Sequence, residues 1–357
     1  MRPPGALLAV CLVLILAGCA GVADPTATPA QDIEDPTATP TETGTQTPTE
    51  SAGDADPDGT IDGELEIHHI DVGQADATLL IEPGGETMLV DSGDWRNDGA
   101  DVLAYLEEHD VDRIDHLVAT HAHADHIGGH EAVIDHFEAH GDGIGAAYDS
   151  GVAHTSQTYE RYLDAIERHD VQLFAVEAGD SFAFGDADVT IYNPPAGDSG
   201  SDLHYNSIVM KIEFGSFAYL TTGDAEVDAE SRIVDAYGAE LESSVYQAGH
   251  HGSSTSSTEE LLDAATPEVV VISSAFDSQY GHPHEEVLNR FAEHGIETYW
   301  TGVHGHVLVT TDGETVWVEP ENDEPTDAAA LLDMKPTEES ESIRLPSSKT
   351  HAGPVVG

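Results

Sequence analysis

The chain has 357 residues, 69 of them Asp or Glu against 11 Lys or Arg, for a formal net charge of −58. At roughly 150 residues per domain the length allows about two domains. The charge excludes capture of nucleic acid on a basic face, though not contact with phosphates through a bound cation. Such an acidic surface repels itself and reads as halophilic, because molar salt shortens the screening length to about 3 Å. Both cysteines, Cys11 and Cys19, lie at the front. A metal site in the body must therefore use His, Asp or Glu.

In chain order, Arg2 and the apolar run over residues 6–18 have the make-up of a signal peptide. The run is too short for a span of about 20 residues. It ends in Leu16-Ala17-Gly18-Cys19, which resembles a lipobox. On that resemblance residues 1–18 are removed, and a lipidated Cys19 tethers an extracytoplasmic protein to the cell membrane. An uncleaved anchor helix is the competing reading. Residues 19–60 are rich in Pro, Thr and Asp, and Asp24–Pro29 recurs as Asp35–Pro40. This composition buries too little surface to offset its ordering entropy and predicts a disordered linker. Residues 321–357 are again polar and predict a disordered tail, leaving one domain over 61–320.

Within that domain strand-like runs fall at Leu65–Ile70, Thr78–Ile81, Met88–Val90, Leu117–Ala119, Val189–Tyr192, Ile208–Ile212 and Phe217–Leu220. Others follow at Val245–Gln247, Val269–Ile272 and Val307–Thr310. Helix-like patterns cover Ala100–His109, Tyr159–His169, Val227–Tyr237, Thr258–Ala265 and Glu285–His294. The mixture predicts a layered α/β domain, sheets inside and helices outside.

The strongest chemical signal is His121-Ala122-His123-Ala124-Asp125-His126, between the run Leu117–Ala119 and the glycines Gly128 and Gly129. Imidazoles two apart in extended chain share a side, so His121 and His123 can share one ion. Asp125 and His126, past the bend, can serve a second. Nitrogen and oxygen ligands without sulfur suit Zn²⁺ first, with Mn²⁺ or Fe²⁺ as alternatives.

This His-x-His-x-Asp-His run resembles the signature of the metallo-β-lactamase fold hydrolases. Asp71-Val72-Gly73-Gln74-Ala75-Asp76-Ala77 is similar to the opening Asp-Val-Gly-Gln-Gly-Asp of the C-terminal domain of ComEC-type competence proteins. Asp91-Ser92-Gly93, Thr222-Gly223-Asp224, Gly249-His250-His251-Gly252-Ser253 and Tyr280-Gly281-His282-Pro283 follow in that family's order. The resemblance covers about Leu65 to Val318. It implies an αββα metallo-β-lactamase-like sandwich with two divalent ions at one edge between the sheets. It also implies hydrolysis, with the phosphodiester bonds of DNA as substrate.

Residue by residue, the resemblance makes Asp224 a carboxylate bridging both ions; its other reading is a cap for the helix Val227–Tyr237. His250 falls where the family places its late histidine ligand. His251 beside it is the outer-shell residue, and the reverse assignment stays open. His204 is a ligand where the family often has Asn, or a loop histidine. His282 donates to substrate or completes a metal shell. Asp91 orients a ligand histidine, as outer carboxylates commonly do. Asp125 and His282 are the candidate catalytic residues. A two-ion centre lowers the pKa of bound water to about 7 and clamps the scissile group. The expected protein is a surface-tethered, metal-dependent, phosphodiesterase-like hydrolase of DNA uptake or degradation. The alternatives are an esterase or lactonase, or a catalytically silent binding domain.

Overall fold

The computed structural model describes residues 63–336. The signal peptide, Cys19, the linker over 19–60 and the chain past 336 lie outside the described residues.

β1 (Leu65–His69), β2 (Thr78–Ile81) and β3 (Thr87–Val90) form an antiparallel meander. The β2–β3 turn is closed by Glu82 N donating to Glu86 O at 3.0 Å. Gly85 takes φ +92° there, a conformation strained for any side chain. Parallel crossovers follow through α1 (Ala100–Glu108), β4 (Ile114–Val118), α2 (His130–His140), β5 (Ile144–Asp149), α3 (Gln157–His169) and β6 (Leu173–Ala175).

The second half repeats this plan. β7 (Ser181–Phe184), β8 (Ala187–Asn193), β9 (Val209–Phe214) and β10 (Phe217–Thr221) are antiparallel. α4 (Val227–Tyr237), β11 (Val245–Gln247), α5 (Glu259–Ala265), β12 (Val269–Ile272), α6 (Glu285–His294) and β13 (Glu297–Trp300) continue in parallel. After the short α7 (Thr301–His304), β14 (Val307–Thr311) and β15 (Val316–Pro320) return to the first sheet. α8 (Ala328–Met334) follows.

The sheets run β15-β14-β1-β2-β3-β4-β5-β6 and β13-β12-β11-β10-β9-β8-β7. Three apolar layers hold them. Ile67, Leu80, Met88, Val189, Met210, Ile212, Tyr219 and Val271 pack in the interior that holds residues of both sheets. Leu79, Leu89 and Leu117 pack with Val102, Ile134, Phe137, Tyr162 and Ile166 of α1–α3. Leu220, Tyr246, Val270 and Ile272 pack with Ile233, Leu262, Leu288, Phe291 and Leu331 of α4–α6 and α8. This is the αββα sandwich the resemblance implies.

Local sequence explains the elements. β12, Val-Val-Val-Ile, is buried along its whole length, as a central parallel strand covered on both faces must be. α3 starts where the Ser156 side chain accepts from Tyr159 N, and buries Tyr159, Tyr162, Ala165 and Ile166 on one stripe.

The boundary expected at 320 is corrected. The segment after β15 is not a disordered tail as far as residue 336: Asp327 caps α8 through Ala330 N, and α8 buries Ala328 and Leu331. Ala328 and Leu331, one turn apart, dock this helix in the layer with α6, and Leu332 and Met334 pack partly buried beside them.

Candidate metal centre

The ends of β3, β4, β10 and β11 and the β1–β2 loop meet at one edge of the sandwich. Backbone bonds join them: Asp91 N donates to Val118 O (2.8 Å), Asp76 N to Asp125 O (3.1 Å) and His250 N to Gly223 O (3.0 Å). Gly223 takes φ +48°, and a Cβ there would stand 2.9 Å from Thr120 Cβ and closer still to Ser207 Oγ. Only glycine lets the loop carrying Asp224 lie this close to the histidine loop.

Asp224, 1% exposed, sits at the centre. Its Oδ1 lies 3.1 Å from His126 Nε2 and 4.0 Å from His251 Nε2. Its Oδ2 lies 3.5 Å from His121 Nε2 and 3.5 Å from His250 Nε2. His121 Nε2 and His123 Nδ1 are 2.8 Å apart. The ligand atoms form three overlapping groups, each within 4.8 Å: His121, His123, His204 and Asp224; Asp76, His126, Asp224 and His251; and His204, Glu226 and His250. The first two share Asp224, the placement a bridging carboxylate requires. The capping alternative fails, because the N-cap of α4 is Glu226.

These groups fit a pair of divalent cations. His126 Nε2, Asp224 Oδ1 and His251 Nε2 are buried and accept or donate no hydrogen bond. Each unpaired buried polar atom costs about 1–3 kcal/mol, and a cation between them satisfies all three. His126 Nδ1 meets Asp91 Oδ2 at 2.7 Å, and His251 Nδ1 meets Ser273 O at 3.0 Å. Both contacts hold a ring proton on Nδ1, so Nε2 is the nitrogen each ring turns toward a metal. Asp91 also accepts from Thr120 N (2.8 Å) and Thr120 Oγ1 (2.7 Å).

The protonation states divide the centre. Burial, reinforced by His126, pushes His121 well below its ordinary value. Burial and His204 bring His123 down to about 4. Burial opposes charge on His126 too, but Asp224 and Asp91 outweigh it and raise His126 well above the ordinary range. His251 is raised to about 9, as Asp224, Asp125 and Asp76 outweigh its burial. Asp224 is held well below the carboxylate range: burial alone would raise it, and His126, His251 and His121 reverse that. One group thus presents bare histidines, while a cation entering the other must displace protons.

The remaining expected residues fall as follows. Asp125, a third exposed, points its Oδ2 to within 3.5 Å of His251 Nε2. His204 joins the first group from the loop before β9. His282 is buried beside both late histidines, with ring centroids 5.8 Å from His250 and 6.2 Å from His251. Gln74 Nε2 meets its Nδ1 at 3.2 Å, and burial with His251 brings its pKa down to about 3. Both late histidines reach the centre. His251 Nε2 lies 4.0 Å from Asp224 Oδ1 and 3.5 Å from Asp125 Oδ2, while His250 places Nε2 3.5 Å from Asp224 Oδ2 and Nδ1 3.2 Å from Glu226 Oε1. The backbone lets neighbouring residues do this: His250 and His251 both adopt left-handed conformations, φ +49° and +56°, and their ring centroids stand 6.1 Å apart. Such strain, about 1–3 kcal/mol per residue, accumulates at functional sites.

Sequence reasoning assigned no role to Asp76, Glu226, Gln74 or Gln247. Gln74 and Asp76 stand in the Asp-Val-Gly-Gln-Ala-Asp run, which was a signal. Glu226 and Gln247 had none. His68 bonds Tyr105 and Glu66. His304 bonds the Trp300 backbone and His306 accepts from Asp71 N, outside the centre.

The sequence profile of the metallo-beta-lactamase superfamily matches residues 70–275. ComE operon protein 3 of Bacillus subtilis is 28% identical over 69% of this chain and 33% of its own length. Competence protein ComA of Neisseria gonorrhoeae is 30% identical over 70% of this chain and 33% of its own. The chain thus spans about a third of the curated relatives it matches. The crystal structure of the metallo-beta-lactamase fold protein YhfI from Bacillus subtilis aligns over 72% of this chain and 100% of that one, at 13% identity and a TM-score of 0.48.

Proposed function

We propose, from the premise that the chain belongs to the metallo-beta-lactamase superfamily and resembles ComEC-type competence proteins, that it is a metal-dependent phosphodiesterase acting on DNA. The same reading tethers it outside the cell through a lipid on Cys19 and places it in DNA uptake or degradation. The observation that carries it is the convergence of buried, unpartnered His126 Nε2, Asp224 Oδ1 and His251 Nε2 on one side of a carboxylate whose other oxygen faces His121. That set suits two divalent cations better than any substrate group.

His121, His123, His204 and Asp224 would hold one cation; His126, His251, Asp125 and Asp224 the other. Such a pair supplies a nucleophilic water near neutral pH and draws charge from the scissile group. The chain's own residues prepare for this. Asp91 and the Ser273 carbonyl fix the tautomers of His126 and His251. Asp224 keeps its negative charge in a buried site. With Gln74 donating to its Nδ1, neutral His282 carries its proton on Nε2. It serves as a hydrogen-bond donor to a substrate oxygen rather than as a strong acid. The donor set is compatible with Zn²⁺, Mn²⁺ and Fe²⁺.

The test is hydrolysis in molar salt by protein loaded separately with each metal. Substrates are single- and double-stranded DNA, bis(p-nitrophenyl) phosphate, a carboxylic ester and a lactone. Metal-dependent cleavage of the diesters supports the proposal. Turnover of only the ester or lactone transfers the chemistry to the alternative class, and no turnover with both ions bound identifies a silent binding domain.

A further inference from the structure

Asp76, from the Asp-Val-Gly-Gln-Ala-Asp segment between β1 and β2, belongs to the second group of ligand atoms but was given no role in holding a cation above. Asp76 is 3% exposed. Its N donates to Asp125 O, and its O accepts from Gly93 N at 2.8 Å, tying the histidine loop to the Asp91 loop. The carboxylate is clamped: Oδ1 accepts from Gln247 Nε2 at 2.6 Å. Gln247 cannot turn over, because its Oε1 already accepts from Thr78 Oγ1 (3.1 Å) and Tyr219 OH (2.5 Å). This clamp leaves Oδ2 on the side of His251, 3.7 Å from Nδ1. That nitrogen is already committed to Ser273 O.

An oxygen of Asp76 is within 4.8 Å of ligand atoms of His126, Asp224 and His251. Asp76, Asp91 and Asp224 are thus three buried carboxylates in one small volume, and burying such charge is costly unless it is compensated.

We infer that Asp76, fixed by Gln247, is a carboxylate ligand of the second metal position. The inference deepens the two-cation reading above and rests on it. It makes the two positions chemically unequal. The first draws on His121, His123, His204 and one carboxylate. The second draws on His126, His251 and the carboxylates Asp76, Asp125 and Asp224. Oxygen-rich sets favour Mn²⁺ and imidazole-rich sets Zn²⁺, so the second position is the manganese-preferring one.

The experiment titrates metal-free full-length protein in molar salt with Mn²⁺ alone, read by electron paramagnetic resonance, then with Zn²⁺ alone. Wild type, Asp76→Asn and Gln247→Met are compared. The expected result is a loss of at least tenfold in Mn²⁺ affinity at one position in Asp76→Asn, with the tighter Zn²⁺ step unchanged, and a smaller loss in Gln247→Met. Two ions bound with wild-type affinity by Asp76→Asn overturn the inference and leave the two-cation reading standing. Should Asp76→Asn fail to fold, unchanged Mn²⁺ binding by Gln247→Met overturns it instead. A wild type that binds one ion or none overturns both.

Discussion

Replacing Asp91 by Asn isolates one contact of the centre. Asp91 has φ +58°, a conformation Asn tolerates as well as Asp, so the backbone is undisturbed. The carboxylate accepts three hydrogen bonds, from Thr120 N (2.8 Å), Thr120 Oγ1 (2.7 Å) and His126 Nδ1 (2.7 Å). An amide has one acceptor oxygen. With that oxygen on Thr120 N, the amide NH₂ faces His126 Nδ1 and forces the ring proton onto Nε2. Nε2 is the atom 3.1 Å from Asp224 Oδ1 and the only one His126 can offer a cation. A hydrogen bond to a charged group is worth about 1.5–3 kcal/mol, or roughly 10- to 150-fold in an equilibrium constant. That range overlaps the 10- to 100-fold typical of lost outer-shell partners. His123 and His204 keep their surroundings and His121 is reached only through Thr120 Oγ1, 3.2 Å from its Nδ1, so the binding step that uses His126 should weaken far more than the other. Calorimetric titration of metal-free Asp91→Asn with Zn²⁺ in molar salt, beside wild type, reads this split. Two steps within twofold of wild type would refute the tautomer argument.

Asp224→Asn keeps shape but loses the charge facing His126, His251 and His121; it should retain at most one ion and lose more turnover than the roughly hundredfold of an outer-shell change. Two ions with near-wild-type turnover would reject bridging. Burial raises Glu230 to about 7, against the N–H groups of Thr258 and Ser257, from an ordinary 4.5. Its folded state therefore binds the proton more tightly, so its contribution is full below about pH 4.5 and is lost as pH rises through 7, by roughly 3 kcal/mol. The melting temperature of Glu230→Gln relative to wild type should climb between pH 5 and 8, and parallel curves would contradict the assignment. With a net charge of −58, KM for DNA should fall as salt rises from about 0.1 to about 2 M, opposite in sign to a protein that neutralises phosphates with Lys and Arg. A KM that rises with salt would expose a cationic contact surface.

The legible parts of the fold are those whose burial is continuous. β2, β10, β11 and β12 are largely apolar because both faces are covered, and each stands in the sequence within a residue of its place, as does β1 with its alternating Leu65 and Ile67. β6 and β7 are edge strands of three and four residues with largely exposed side chains, too short for their apolar residues to stand out. α2 starts on Gly129 without a side-chain cap, which removes the usual start signal. In the centre, His-x-His-x-Asp-His was readable because four ligands crowd one loop. The joint approach of His250 and His251 to Asp224 was not. It depends on two consecutive left-handed residues, and no spacing rule predicts that both rings reach one carboxylate. Nor was the Asp76–Gln247 contact, made across 171 residues of chain.

Histidine, not lysine or arginine, faces the buried carboxylates, and the chemistry of the centre explains why. Only 11 basic residues serve a chain with 69 acidic ones, yet scarcity alone does not decide the matter, since Lys211 and Arg232 are placed to bind backbone carbonyls elsewhere. A guanidinium at Asp224 would satisfy its charge permanently and exclude a cation. Imidazolium satisfies it provisionally. His126 and His251, raised in pKa by the very carboxylates they face, compensate Asp224 and Asp76 while no cation is present. On the two-cation reading proposed above, binding would displace a proton from each ring, and proton release on metal binding would measure that exchange.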